Sequence, residues 1–136
     1  MTKPIPTVQR FMTTCPLTIG VEQTLFAAEK VMAANHVRHL PVLAAGQLRG
    51  LLTQRDIHLV ETLDGVDPRS VKVEDAMLES VYAVTPDAPL DEVVREMAEH
   101  KYGCAVVMQN EHVVGVLTTV DVCRALAELL HGRLAS

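Results

Sequence analysis

An internal repeat constrains this chain more than any other feature of its sequence. When the sequence is shifted by 65 positions against itself, Gly50 meets Gly115, Thr53 meets Thr118 and Asp56 meets Asp121 without a gap. The same register brings together Val8 with Val73, Met12 with Met77, Leu25 with Leu90, Met32 with Met97, Ala33 with Ala98, Val42 with Val107 and Leu52 with Leu117. A unit this small buries too little apolar surface alone, so two copies are expected to form one module.

Hydrophobic periodicity predicts the same element order in both copies. The first copy is predicted to form a strand, a helix, two strands and a helix, at residues 17–19, 25–33, 39–43, 48–53 and 54–60. The second copy repeats this order, at residues 82–84, 90–98, 104–108, 112–118 and 120–130. The predicted buried helix faces are Leu25, Ala28, Met32 and Ala33, then Leu90, Val93, Val94, Met97 and Ala98, with Pro89 at the first helical position. We therefore expect an α/β (α+β) fold with repeats at 7–62 and 73–130 and a linker at 63–72.

Composition disfavours several classes of function. Of 136 residues, 49% are hydrophobic but only 3% are aromatic, so aliphatic side chains must build the core. A net charge of −5 disfavours binding to nucleic acid or to an anionic membrane surface. No apolar run approaches the roughly 20 residues of a membrane helix. Three scattered cysteines do not form a disulfide framework, and we expect a cytoplasmic protein.

Each copy resembles a CBS repeat, and the pair resembles a Bateman module. The resemblance covers roughly residues 7–130 and is carried by four segments. These are RHLPV at 38–42 and GLLTQRD at 50–56 in the first copy, and GCAVV at 103–107 and GVLTTVD at 115–121 in the second. It implies two repeats packed with pseudo-two-fold symmetry around an inter-repeat cleft.

The resemblance implies a regulatory module for energy sensing rather than an enzyme. Its ligand would be an adenosine-containing molecule such as AMP, ADP, ATP, S-adenosylmethionine or NAD, bound in the cleft and not required as a cofactor. Asp56 and Asp121 would accept hydrogen bonds from ribose hydroxyls, a role that suits a carboxylate. Thr53 and Thr118 would contact ribose or phosphate. A conformational change would then be read by an unknown effector protein.

The resemblance also implies the residues of the adenine slot. In the first copy these are Thr18, Ile19, Arg38, His39, Leu40 and Pro41; in the second they are Val84, Thr85, Tyr102, Gly103, Cys104 and Ala105. The second copy departs from the first, because Gly103 and Cys104 replace the basic pair Arg38 and His39. Unequal occupancy of the two sites is therefore expected.

Charge differs between the copies. Residues 8–60 carry five basic and three acidic residues, a net +2, whereas residues 73–125 carry three basic and ten acidic residues, a net −7. Ligand phosphates are therefore expected near Arg38, His39 and Arg55. An antiparallel homodimer would set the basic copy of one chain against the acidic copy of another.

Two alternatives to this interpretation remain open, and a third, a metal site, is not expected. The Thr-x-x-Asp spacing also fits a helix capping box, with or without a ligand contact. The module could have lost its ligand and act as a dimerisation scaffold through protein contacts. A metal site at His36 and His39, with His58 or Cys15, is not expected, since structural zinc prefers four ligands in tight local pairs. The sequence contains no recognisable catalytic constellation.

Overall fold

The structure, a computed structural model, describes residues 4–14 and 17–135. Its helices are α1 (Val8–Phe11), α2 (Leu25–Asn35), α3 (Gln54–Glu61), α4 (Leu90–His100) and α5 (Thr119–Ala135). Its strands are β1 (Thr13–Thr14), β2 (Ile19–Gly20), β3 (His39–Ala44), β4 (Gln47–Thr53), β5 (Ala83–Val84), β6 (Cys104–Gln109) and β7 (His112–Thr118). Among the helices of these residues, none is both long and apolar enough to cross a membrane.

The repeat of the sequence is also a repeat of the structure. Three pairs of elements have bounds that differ by 65 residues at both ends. They are helices α2 and α4, strands β3 and β6, and strands β4 and β7. Both copies follow the predicted β-α-β-β-α order, and the mixed α/β fold is confirmed. The short first strand begins at Ile19 rather than at residue 17, and the last helix extends to Ala135 rather than to residue 130.

Each copy builds one sheet around a tight hairpin. In the first, β2 pairs in parallel with β3, and β3 pairs antiparallel with β4. In the second, the order is β1-β7-β6-β5, with β1 antiparallel to β7. The hairpin turns contain residues of positive φ, Ala45 and Gly46 in the first copy and Asn110 and Glu111 in the second. Such turns match the twist of the strands that they connect.

The compact units are offset from the repeats of the sequence. One unit comprises Leu17–Val81, and the other joins the described N-terminal residues to residues 82–135. Val73, the first residue of the second repeat, is fully buried in the core of the unit that holds most of the first repeat. Its counterpart Val8, at the start of the first repeat, is fully buried in the core of the other unit. The first residues of each repeat therefore complete the core of the other repeat.

Two alanines predicted on buried helix faces are exposed. Ala33 lies eight residues after Leu25, which places it about 80° around the helix, beyond the apolar stripe. Ala98 is exposed for the same reason in the second copy. Pro89 is also displaced from its expected position, because it caps α4 with extended backbone and the helix begins at Leu90.

Candidate functional site

In each copy, a threonine ends the second strand of the hairpin and caps the helix that follows. The backbone N–H of Asp56 donates to Thr53 Oγ1 at 3.1 Å, and the backbone N–H of Thr53 donates to Asp56 Oδ2 at 3.1 Å. In the second copy the backbone N–H of Asp121 donates to Thr118 Oγ1 at 3.3 Å, and the backbone N–H of Thr118 donates to Asp121 Oδ2 at 2.9 Å. The spacing therefore forms a capping box in both copies, with aspartate in place of the usual glutamate.

The two aspartates nevertheless have different surroundings. Asp56 is half-buried, and its Oδ2 accepts both the Thr53 N–H and, at 2.7 Å, the Thr53 hydroxyl. None of the described residues donates a hydrogen bond to Asp56 Oδ1. A carboxylate oxygen can accept two hydrogen bonds, so Asp56 retains unused acceptor capacity.

Asp121 is the buried acidic residue of the described chain, with 3% of its surface exposed. Thr118 donates to its Oδ2 through the backbone N–H at 2.9 Å and through the hydroxyl at 3.1 Å. The Thr13 hydroxyl donates to Oδ1 at 3.1 Å and lies 3.3 Å from Oδ2. Arg124 approaches Oδ1 at 3.5 Å. This carboxylate is therefore engaged at both oxygens.

A pocket of about 390 Å³ lies within the first copy, beside the cap of α3. Its walls are formed by the end of the α2–β3 connection and by one face of α3: Arg38, His39, Thr53, Gln54, Arg55, His58, Leu59 and Thr62. The pocket thus brings together four residues that the sequence predicted for a ligand site. Asp56 does not line the pocket, but it is hydrogen-bonded to Thr53, which is a lining residue. The volume suits a small-molecule ligand.

The walls of this pocket favour an anion. Arg38 and Arg55 are exposed cations at its rim. Burial lowers the pKa of His39 from its ordinary value of 6.5, the Arg38 cation lowers it further, and Asp56 opposes both effects. An anionic group in the pocket would favour the charged form of His39. An anionic ligand would therefore raise the lowered pKa of His39 and favour its protonation.

Gln54, His58 and Thr62 also line the pocket, and the sequence analysis did not assign them to the ligand site. They follow one another at intervals of four residues, so they lie on one face of a helix that begins after Thr53. That spacing was available in the sequence. The helix predicted over residues 54–60 places Gln54 and His58 on one face, beside the predicted ligand residues.

The remaining predicted residues are divided between surface and core. Five of them reach the surface: the exposed Thr18, Thr85, Tyr102 and Gly103, and the half-buried Val84. The other five are buried: Ile19, Leu40, Pro41, Cys104 and Ala105. Val84 and Thr85 line a separate pocket of about 420 Å³ in the second copy. Tyr102 stacks on Tyr82 and on His100, with centroid separations of 5.2 and 5.1 Å. Leu40 and Ala105 expose none of their surface, so neither their side chains nor their backbone atoms are open to a ligand in this structure.

Three side chains of the described residues lie close enough to share a metal ion, Glu96, Glu99 and His100 on α4. They lie at the surface, and His100 Nε2 is 3.1 Å from Glu96 Oε2 in an exposed pair. The histidines considered at the sequence level, His36, His39 and His58, do not belong to this group, and Cys15 lies outside the described residues.

A family model described as CBS domain matches residues 1–60 and 73–128. Hypoxic response protein 1 of Mycobacterium tuberculosis is 31% identical over 111 residues, which cover 81% of this chain and 78% of that protein. A crystal structure of Hypoxic Response Protein I with two coordinated zinc ions aligns with a TM-score of 0.76 at 27% identity, covering 88% of this chain and 98% of that one.

Two further crystal structures align over almost their whole length. One, described as an acetoin utilization protein (AcuB) from Vibrio cholerae, has a TM-score of 0.86 at 29% identity and covers 98% of both chains. The other is the CBS domain pair of protein MJ0100 in complex with 5′-methylthioadenosine and S-adenosylmethionine. It has a TM-score of 0.83 at 24% identity and covers 92% of this chain and 98% of that one.

Proposed function

This chain belongs to the CBS-domain family, and we propose that it is a regulatory module whose first copy binds an adenine nucleotide. The observation that carries the proposal is the pocket beside Thr53, in which two arginines and a partly buried histidine meet the cap of α3. Arg38 and Arg55 would hold the phosphate, and Asp56 Oδ1, to which none of the described residues donates, would accept a hydrogen bond from a ribose hydroxyl. The complex of the MJ0100 domain pair with two adenosine derivatives supports the ligand class.

The charges of the pocket favour a nucleotide over S-adenosylmethionine. A phosphate carries up to two negative charges near neutral pH, and guanidinium groups bind phosphate through paired hydrogen bonds. S-adenosylmethionine instead carries a sulfonium cation, which two arginines would repel. We therefore rank AMP and ADP before S-adenosylmethionine as ligands of this chain.

The proposed output is regulation through a partner protein. A ligand can shift the conformation of a module only by binding one of its shapes more tightly than the other. The partner would recognise the favoured shape, and the module itself would perform no chemistry. A cytoplasmic location, predicted from the three scattered cysteines, belongs to the same proposal.

A thermal-shift screen against AMP, ADP, ATP, S-adenosylmethionine and NAD tests the proposal, because a ligand that binds only the folded chain raises its melting temperature. We expect AMP or ADP to give the largest shift, and Arg38→Gln and Asp56→Asn to diminish it. Arg49→Gln is the matched control, since Arg49 is an exposed arginine of the same copy outside the pocket. If none of the five ligands stabilises the wild-type chain, the proposal is wrong and the scaffold alternative is favoured.

A homodimer is the partner arrangement that we propose. Beyond the opposite charges of the two copies, α5 exposes several large apolar side chains, including Val120, Leu126, Leu129 and Leu130. Light scattering at micromolar concentration tests this arrangement, and a monomeric mass would exclude it.

Metal analysis of the purified chain addresses the zinc found in Hypoxic Response Protein I, and stoichiometric zinc would replace the nucleotide as the favoured ligand.

A further inference from the structure

We propose that the Thr13 hydroxyl occupies the position on Asp121 that a ribose hydroxyl would need, so that this chain has one nucleotide site, at Asp56. The inference rests on the proposed function for the ligand class. It goes beyond that function because it gives Asp121 a structural role, the hydrogen bonds to Thr13 and Thr118, rather than a role in ligand binding. It also identifies the N-terminal strand β1 as the element that makes the difference.

Acceptor capacity is the first argument. To bind a ribose diol, a carboxylate must accept two further hydrogen bonds. Asp121 already receives the N–H and hydroxyl of Thr118 on Oδ2, and the hydroxyl of Thr13 on Oδ1. Only 4% of its side chain is exposed, and Arg124 lies 3.5 Å away. A ribose could reach this carboxylate only by displacing Thr13, whereas Asp56 Oδ1 has no such partner among the described residues.

The repeat explains why only one copy has this hydroxyl. Thr13 faces Val116 across the β1–β7 ladder, and Leu78 faces Leu51 across an isolated bridge in the first copy. These pairs correspond at the shift of 65 residues, so Leu78 occupies in the first copy the position of Thr13 in the second. A leucine side chain cannot donate a hydrogen bond, and none of the described residues donates to Asp56 Oδ1.

The pocket walls differ in the same direction. The counterparts of Arg38, His39, Arg55 and His58 at the shift of 65 are Gly103, Cys104, Val120 and Cys123. Every titratable side chain that lines the first-copy pocket is thus replaced by one without a positive charge. The copy with the engaged aspartate is also the copy that lacks a positively charged side chain at these four positions.

Placing a threonine at position 78, the first-copy equivalent of Thr13, tests the assignment. Leu78 is about half-exposed, so Leu78→Thr should fold and place a hydroxyl beside Asp56. Titration calorimetry with AMP should give one site in the wild-type chain, with affinity weakened about tenfold by Leu78→Thr, as expected for competition with one hydrogen bond to a charged group. Leu78→Val, which shortens the side chain without adding a hydroxyl, should bind within about twofold of wild type on the same scale.

The result that would overturn the proposal is equal AMP binding by Leu78→Thr and Leu78→Val, or binding that is lost in Asp121→Asn and retained in Asp56→Asn. A ligand-free measurement separates this failure from failure of the proposed function. In urea unfolding, Thr13→Val and Asp121→Ala should each lower stability, and the double variant should lose less than the sum, because both remove the same hydrogen bond. Additive losses would refute the contact, even if AMP binds nowhere.

Discussion

Gly50 approaches Leu78 so closely that a Cβ on Gly50 would lie 2.6 Å from the Leu78 carbonyl oxygen. The same relationship recurs in the second copy, where a Cβ on Gly115 would lie 2.9 Å from the carbonyl oxygen of Thr13. Both glycines begin the segment that continues into the capping box. Their lack of a side chain allows the first residues of one repeat to pair with the hairpin of the other, as Leu78 does with Leu51 and Thr13 with Val116. The two glycines therefore support both the fold and the position of Thr13.

Gly50→Ala and Gly115→Ala should therefore each destabilise the chain, by about 1–3 kcal/mol, because the added methyl group overlaps backbone as well as the flexible side chains of Met77 and Met12. Gly132→Ala is the matched control, since nothing lies within 4 Å of a Cβ there and alanine is the better helix former. It should raise stability by about 0.5–1 kcal/mol. Urea unfolding measures all three, and an unchanged midpoint for Gly115→Ala would contradict the close approach.

Arg38→Glu should weaken phosphate-bearing ligands more than adenosine. The exposed Arg38 guanidinium lines the pocket, and reversing its charge replaces an attraction for phosphate with a repulsion. We expect the affinity for ADP to fall tenfold or more, about 1.4 kcal/mol, with a smaller change for adenosine. Calorimetry with both ligands measures the difference, and Arg49→Glu controls for net charge. Equal losses for ADP and adenosine would show that Arg38 does not face the phosphate.

Stability should fall with decreasing pH in a way that depends on His39. Burial and the Arg38 cation lower the pKa of His39 in the folded chain, although Asp56 opposes the effect, whereas the unfolded chain titrates near 6.5. Below that pH the unfolded state takes up the proton first, so stability present at pH 7 is lost as the pH falls from about 6.5 towards the lowered value. In His39→Gln this component is absent.

The measurement is the urea midpoint of wild type and His39→Gln between pH 7 and pH 5. We expect a shallower decrease for His39→Gln, while His112→Gln, a change at the exposed first position of β7, should retain the wild-type slope. If His39→Gln and wild type lose stability in parallel, the burial of His39 has no effect on its protonation.

Cys104 should resist alkylation in the folded chain. Burial raises the pKa of its thiol to about 12, and the nearby Asp121 carboxylate adds to the effect, so almost no thiolate exists at neutral pH. Cys123 on α5 is exposed. In a Cys15→Ser background, iodoacetamide followed by peptide mass mapping should modify Cys123 first and Cys104 only after addition of urea. Equal modification rates under native conditions would contradict the buried position.

Much of the fold could be predicted from the sequence alone. The hairpin strands and the first helix of each copy depend on short-range periodicity, and their positions recur at the shift of 65 residues because the apolar pattern does. The capping boxes at Thr53 and Thr118 are equally local, since a side chain three residues away supplies the partner. Half of the lining of the first-copy pocket was predicted, Arg38, His39 and Thr53 from the resemblance to CBS repeats and Arg55 from the charge of the first copy.

Only the tertiary structure decided which aspartate has an oxygen that accepts no hydrogen bond from the described residues. Asp56 and Asp121 lie in matching sequence motifs, and the difference between them comes from Thr13, which is 108 residues from Asp121 along the chain. Likewise, burial of Val8 and Val73 in the cores opposite to their own repeats follows from how the segments pack. Local pattern determines where a helix or strand forms, but long-range packing determines which polar groups remain available to a ligand.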